Sequence, residues 1–166
     1  MSEGSHGMAV LRGKTTLREI LEVATGFEAS ARDFYNDMIP KVSKRIRYLV
    51  EEFAAEEQNH YELFSALAQR ADLAEQIKSE IERTASDSQF SDCLHLPDLG
   101  TQPDDQTILQ YAMGREHAAM MHYNELAQTA PIGPIRDLFQ YLASEETKHK
   151  LELEKRYYET VHCGGV

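Results

Sequence analysis

Cysteine is nearly absent from this 166-residue sequence: Cys93 and Cys163 stand alone, 70 residues apart, with no CxxC pair. That excludes an iron–sulfur centre or zinc knuckle built on cysteine within these residues, because both need clustered thiolates at short spacing. Positive charge is also scarce. Seventeen Lys and Arg face 28 Asp and Glu, a net charge of −11 with His counted neutral. A nucleic-acid or anionic-membrane partner needs clustered cations, so neither is expected; this balance suits attraction of cations instead. No apolar run approaches the ~20 residues of a membrane span, and Met1 to Gly7 lack the apolar core of a secretory signal. A cytoplasmic location is the expectation, and there a Cys93–Cys163 disulfide is disfavoured. Strand-like alternation of period two is missing throughout.

What the sequence does contain is helical periodicity. Thr16 and Glu19 form a capping-box pair ahead of a pattern that runs to Ile39 and is broken by Pro40. A second pattern runs from about Ser43 to Arg70, and Ala71–Thr84 reads as a further helix or an extension of it. Residues 85–105 turn to Ser, Asp, Gly and Pro and form a linker, long for a compact domain. Asp104 and Asp105 cap a third helix ending near Thr129. Pro131-Ile-Gly-Pro134 is a turn, and a fourth helix reaches about Val161. The expected organisation is a disordered segment 1–14, a bundle over 15–161 and a tail 162–166. The fold class is all-α: two antiparallel hairpins joined by a long crossover into a four-helix bundle.

A core-facing stripe advances in steps of three and four along each helix. The stripes read Leu17, Leu21, Ala24, Glu28, Ala31, Tyr35, Met38; then Ile46, Val50, Phe53, Glu57, His60, Phe64, Leu67; then Leu109, Ala112, Glu116, Ala119, Tyr123, Leu126; then Ile135, Leu138, Leu142, Glu146, His149, Leu153. One glutamate interrupts each stripe, and in the second and fourth a histidine follows three residues later, on the same face. Buried glutamates demand partners. Four carboxylates and two neutral imidazoles carry four negative charges, no Lys or Arg shares their level of the stripes, and two divalent cations balance the set.

The heights match. Glu28 precedes Pro40 by 12 residues and Glu57 follows Lys44 by 13; Glu116 precedes Gln128 by 12 and Glu146 follows Pro134 by 12. At ~1.5 Å per residue all four lie ~18–20 Å from their turns. The halves also repeat. Glu28 to Glu116 and Tyr35 to Tyr123 are both 88 residues, Glu57 to Glu146 and His60 to His149 both 89, and each Glu-x-x-His is preceded by another Glu.

This pattern, one Glu from each of two helices and Glu-x-x-His from the other two, resembles the rubrerythrin-related branch of the ferritin-like di-iron carboxylate proteins over about Thr15 to Glu159. The resemblance implies Glu28, Glu57, His60, Glu116, Glu146 and His149 as metal ligands, with Glu57 and Glu146 as bridges. It implies two iron ions, with Mn or Zn as alternatives, and a reaction with O₂ or H₂O₂ of peroxidase or ferroxidase type, fed by an external electron donor. A homodimer is expected. The rival reading is a bundle that binds or buffers metal without turnover. Two features depart from rubrerythrins proper: there is no rubredoxin-like module with two CxxC pairs, and Ala119 stands where they carry an extra Glu. Glu56, Glu145, His117 and His122 fall off the stripes and read as surface residues; His95 and His162 have no partner in sequence. Tyr35 and Tyr123 read as packing residues, with a hydroxyl bond near the site as the rival role.

Overall fold

The computed structural model describes residues 14–163; the expected disordered segment lies outside them except for Lys14, and so do residues 164–166 of the tail. Four long helices carry the fold: α1 Leu17–Met38, α2 Lys44–Ala68, α5 Asp105–Thr129 and α6 Pro134–Cys163, with the short helices α3 Ala74–Ile77 and α4 Asp87–Asp92 in the crossover. The all-α class and the two-hairpin layout expected from periodicity are what forms.

The helix ends follow local chemistry. Thr16 caps α1, its side chain accepting from Glu19 N, while the Glu19 carboxylate is held by Thr15 Oγ1 at 2.7 Å. Ser43 caps α2 and Asp104 caps α5. Each relieves an otherwise unpaired first-turn amide. Pro134 opens α6, where its missing N–H costs nothing, and Gly133 before it sits at φ 145°, a backbone state that favours glycine. The backbone N–H of Ser43 donates to Asp105 at 2.8 Å, tying the α1–α2 turn to the start of α5. The second hairpin therefore begins at the end where the first one turns.

The 71–105 region departs from the sequence reading. It is neither a helical extension nor a plain linker. A 3₁₀ turn at Ala71–Leu73 leads into α3, then into a strand, β2 Glu80–Glu82, which pairs antiparallel with β1 Lys14–Thr16 in the register Lys14 to Glu82. Three-residue strands are too short for an alternation signal; their pairing is fixed by the α1 start, where Leu17 N donates to Ser79 O at 2.9 Å. Helix α4 is anchored by the fully buried Phe90, stacked on Phe27 with centroids 4.2 Å apart.

Every stripe residue named above is buried except Leu138, which is partly so. The apolar interior forms two clusters. One gathers Leu21, Phe27, Phe64, Phe139 and Leu142; the other gathers Phe34, Val50, Phe53, Leu109 and Leu153. Each fully buried Leu or Phe contributes roughly 1.5–3 kcal/mol. Between the clusters lies a layer of buried polar groups.

Candidate metal centre

That layer holds all six candidate ligands. Glu28, Glu57 and Glu146 are 0% exposed, Glu116 2%, His60 3% and His149 4%. Their donor atoms form two overlapping groups: Glu28, Glu57, His60 and Glu146, and Glu57, Glu116, Glu146 and His149, each with its atoms within 4.8 Å of one another. Glu57 and Glu146 belong to both.

The arrangement has a near two-fold. His60 Nδ1 faces Glu57 at 3.1 Å, Glu146 at 3.2 Å and Glu28 at 3.6 Å. His149 Nδ1 faces Glu57 at 3.2 Å, Glu146 at 3.5 Å and Glu116 at 3.7 Å. The two rings stack with centroids 5.8 Å apart. Equal heights on four helices, set by equal residue counts from the turns, produce this meeting.

Electrostatics at the centre divides the carboxylates into two kinds. Burial, then the charges of Glu57 and Glu146, raises the carboxyls of Glu28 and Glu116 well above the usual range. Burial pushes Glu57 up as well, but the adjacent imidazoles of His149 and His60 outweigh it and hold it low; Glu146 is held low too, against burial and the charge of Glu57, by neighbours that include Glu116 and both imidazoles. Burial lowers both imidazoles, and the surrounding carboxylates override that, raising His60 and His149 strongly. Protons and cations thus compete for the same donor set.

The donor set fits metal ions. Among the described residues, Glu28 Oε2, Glu57 Oε1, Glu116 Oε2, both oxygens of Glu146 and Nδ1 of His149 are buried without a hydrogen-bond partner. Buried polar atoms are rarely left so, and here they converge. Carboxylate oxygen and imidazole nitrogen suit iron, manganese and zinc alike.

Groups around the six were partly missed in the sequence. Tyr35 Oη donates to Glu116 Oε1 and Tyr123 Oη to Glu28 Oε1, each across to the other hairpin, so both tyrosines do more than pack. Burial, then the adjacent carboxylate, raises both phenols and keeps them donors. Glu56, read as a surface residue, accepts from Nε2 of His149; the doubled Glu before x-x-His was its signal. His117 is exposed as expected, but His122 is buried: its Nδ1 lies 3.1 Å from Ser86 Oγ and 3.2 Å from Thr84 Oγ1, and its ring stacks on Phe90. Arg115, unmarked by the sequence, is buried at 2% exposure beneath the crossover, donating to Cys93 O at 2.7 Å and Ser30 Oγ at 3.2 Å with Phe27 against its guanidinium. Cys93 is a free, half-buried thiol.

Comparison with known proteins agrees with the fold. Residues 107–161, essentially the second hairpin, match the rubrerythrin family model. The chain has the ferritin-like fold, and its second hairpin is similar to rubrerythrins. The fold is similar to that of a solved structure from Bacteroides fragilis, a bacterioferritin-related protein described as a dodecameric thioferritin. The two share 21% identity at a TM-score of 0.65, over 89% of this chain and 88% of that one. No curated protein sequence matches. None of the described helices of this ferritin-like bundle is long and apolar enough to cross a membrane.

Proposed function

We propose that residues 15–161 act as one unit that binds two metal ions, iron by best fit, through Glu28, Glu57, His60, Glu116, Glu146 and His149, and that the bound pair reacts with O₂ or H₂O₂. The observation that carries this reading is the pair of overlapping buried donor groups with unsatisfied atoms turned toward one another. Membership of Glu57 and Glu146 in both groups supports a bridging role, with Glu28 and Glu116 terminal. Two bound irons would supply one-electron steps to an oxidant; the chain's own residues hold the ions, exclude water and keep Tyr35 and Tyr123 as proton donors on the terminal carboxylates. The donor of electrons is external in this reading.

Fully buried Ala119 gives the site no seventh ligand, which favours a ferroxidase-like role over a rubrerythrin-type peroxidase. Self-association belongs to the proposal as well. The Bacteroides fragilis neighbour is dodecameric, and Tyr48, Tyr141, Leu151 and Tyr158 offer exposed apolar surface for contact between copies. Light scattering distinguishes a dimer from a larger assembly. Anaerobic Fe(II) loading followed by air or peroxide tests the chemistry: two irons per chain, oxidised rapidly and with turnover, are expected. Tight binding of two ions without oxidation would leave only a metal-holding bundle.

A further inference from the structure

Among the described residues, the two halves of the centre differ in what stands behind each histidine. His149 has a carboxylate partner behind it: its Nε2 donates to Glu56, while its Nδ1 turns to Glu57, Glu116 and Glu146. Phe53 stacks on the same ring with centroids 4.3 Å apart and fixes its plane. An imidazole held this way keeps its proton on Nε2 and presents a more basic lone pair at Nδ1.

His60 is placed otherwise. By the internal repeat, its partner should be Glu145, which precedes Glu146 as Glu56 precedes Glu57. Glu145 is instead paired with Lys148 Nζ at 2.9 Å. Among the described residues no side chain hydrogen-bonds Nε2 of His60; the ring of Tyr141 meets it edge-on, 6.5 Å between centroids. The cause is legible in the two motifs. Glu-Gln-Asn-His has Asn59 where Glu-Thr-Lys-His has Lys148. Lysine three residues after Glu145 draws that carboxylate outward, whereas asparagine leaves Glu56 free to reach across to His149. Glu56 also lines a cleft of about 320 Å³ between α2 and α6, with Glu52, Glu145 and Glu152, and His149 closes its inner wall. The His149 side thus borders this cleft.

We infer that Glu56 makes the two metal positions unequal, so that a divalent cation fills the Glu57, Glu116, Glu146 and His149 position before the Glu28, Glu57, Glu146 and His60 position. Glu56 is a positioning residue: it acts through His149. This inference rests on the dinuclear reading above and goes beyond it by ordering the two positions and naming what orders them.

Stepwise Co(II) titration of the full chain, followed by calorimetry and visible absorption, tests it. Two steps at least ten-fold apart are expected, since loss of such a carboxylate partner typically costs ten- to a hundred-fold in metal affinity. Glu56→Gln should weaken the first step by that factor and leave the second; Lys148→Asn should release Glu145 toward His60 and strengthen the second. Anomalous scattering from crystals given one equivalent of Co(II) should place the ion beside His149. Two equal steps in the wild type, an ion beside His60, or equal weakening of both steps by Glu56→Gln would overturn the inference while leaving the dinuclear site standing. No cobalt binding at all would remove the site and the inference together. Glu56 is about one-third exposed, so the isosteric change should fold, and circular dichroism melting checks that it does.

Discussion

Tyr123, on the third long helix, donates its hydroxyl to Glu28, on the first. Tyr35 does the reverse toward Glu116, so each hairpin holds the other's terminal carboxylate. Tyr123→Phe removes a buried donor and strands a buried carboxyl oxygen, at a cost of about 1–3 kcal/mol. Denaturant unfolding should show that loss, and Tyr35→Phe should match it within a factor of two. Equality is the informative part, because it measures how closely the pseudo-two-fold holds in energy as well as in geometry.

Glu57 and Glu146 each serve both donor groups. A Glu57→Ala, Glu146→Ala double variant should therefore bind neither ion, whereas Glu28→Ala should lose one. Metal analysis after anaerobic loading and gel filtration reads both outcomes. Retention of two ions by the double variant would sink the ligand assignment.

His122 lies buried and uncharged, pushed down to about 4 by the cost of burying an imidazolium. The unfolded chain holds that proton below about 6.5, so between these values the unfolded state binds more protons than the folded one. Stability should fall as pH drops from about 6.5 to about 4, by up to roughly 3 kcal/mol, and flatten below. His122→Gln should remove that slope. The comparison of variant with wild type isolates His122 from carboxylates that titrate in the same range.

Arg115 pins the crossover through Cys93 O and Ser30. Arg115→Met keeps much of its volume and loses both bonds, each from a charged donor, at a cost of about 1.5–3 kcal/mol, while Ser30 Oγ still donates to Cys93 O. Hydrogen exchange should rise in residues 86–94 while the long hairpins stay protected. Uniform loss of protection would show that the crossover unfolds only with the whole bundle.

The four long helices, their stripes and the level at which the polar residues meet follow from periodicity and residue counts, because each is a local or additive property of the chain. The crossover does not. Phe90 sits in a polar stretch, and its anchoring depends on Phe27 and His122, remote in sequence and adjacent only after folding. Helix α5 carries a second stripe in steps of four, three, four and three, Tyr111, Arg115, Ala118, His122 and Glu125, which faces the crossover. That spacing was present in the sequence. Its polar residues disguised it, since a buried arginine and histidine have the composition of a solvated face.

Each donor group draws three residues from one hairpin and one from the other: Glu146 joins Glu28, Glu57 and His60, and Glu57 joins Glu116, Glu146 and His149. Most close backbone approaches, by contrast, lie within a hairpin. Under tension the seam between hairpins is where the bundle should part, and with ions bound, as proposed, parting it means rupturing coordination bonds at mid-height. Pulling one hairpin from the other in a single-molecule experiment should therefore show a rupture force that depends on which metal is loaded, a mechanical reading of the site that needs no reaction to take place.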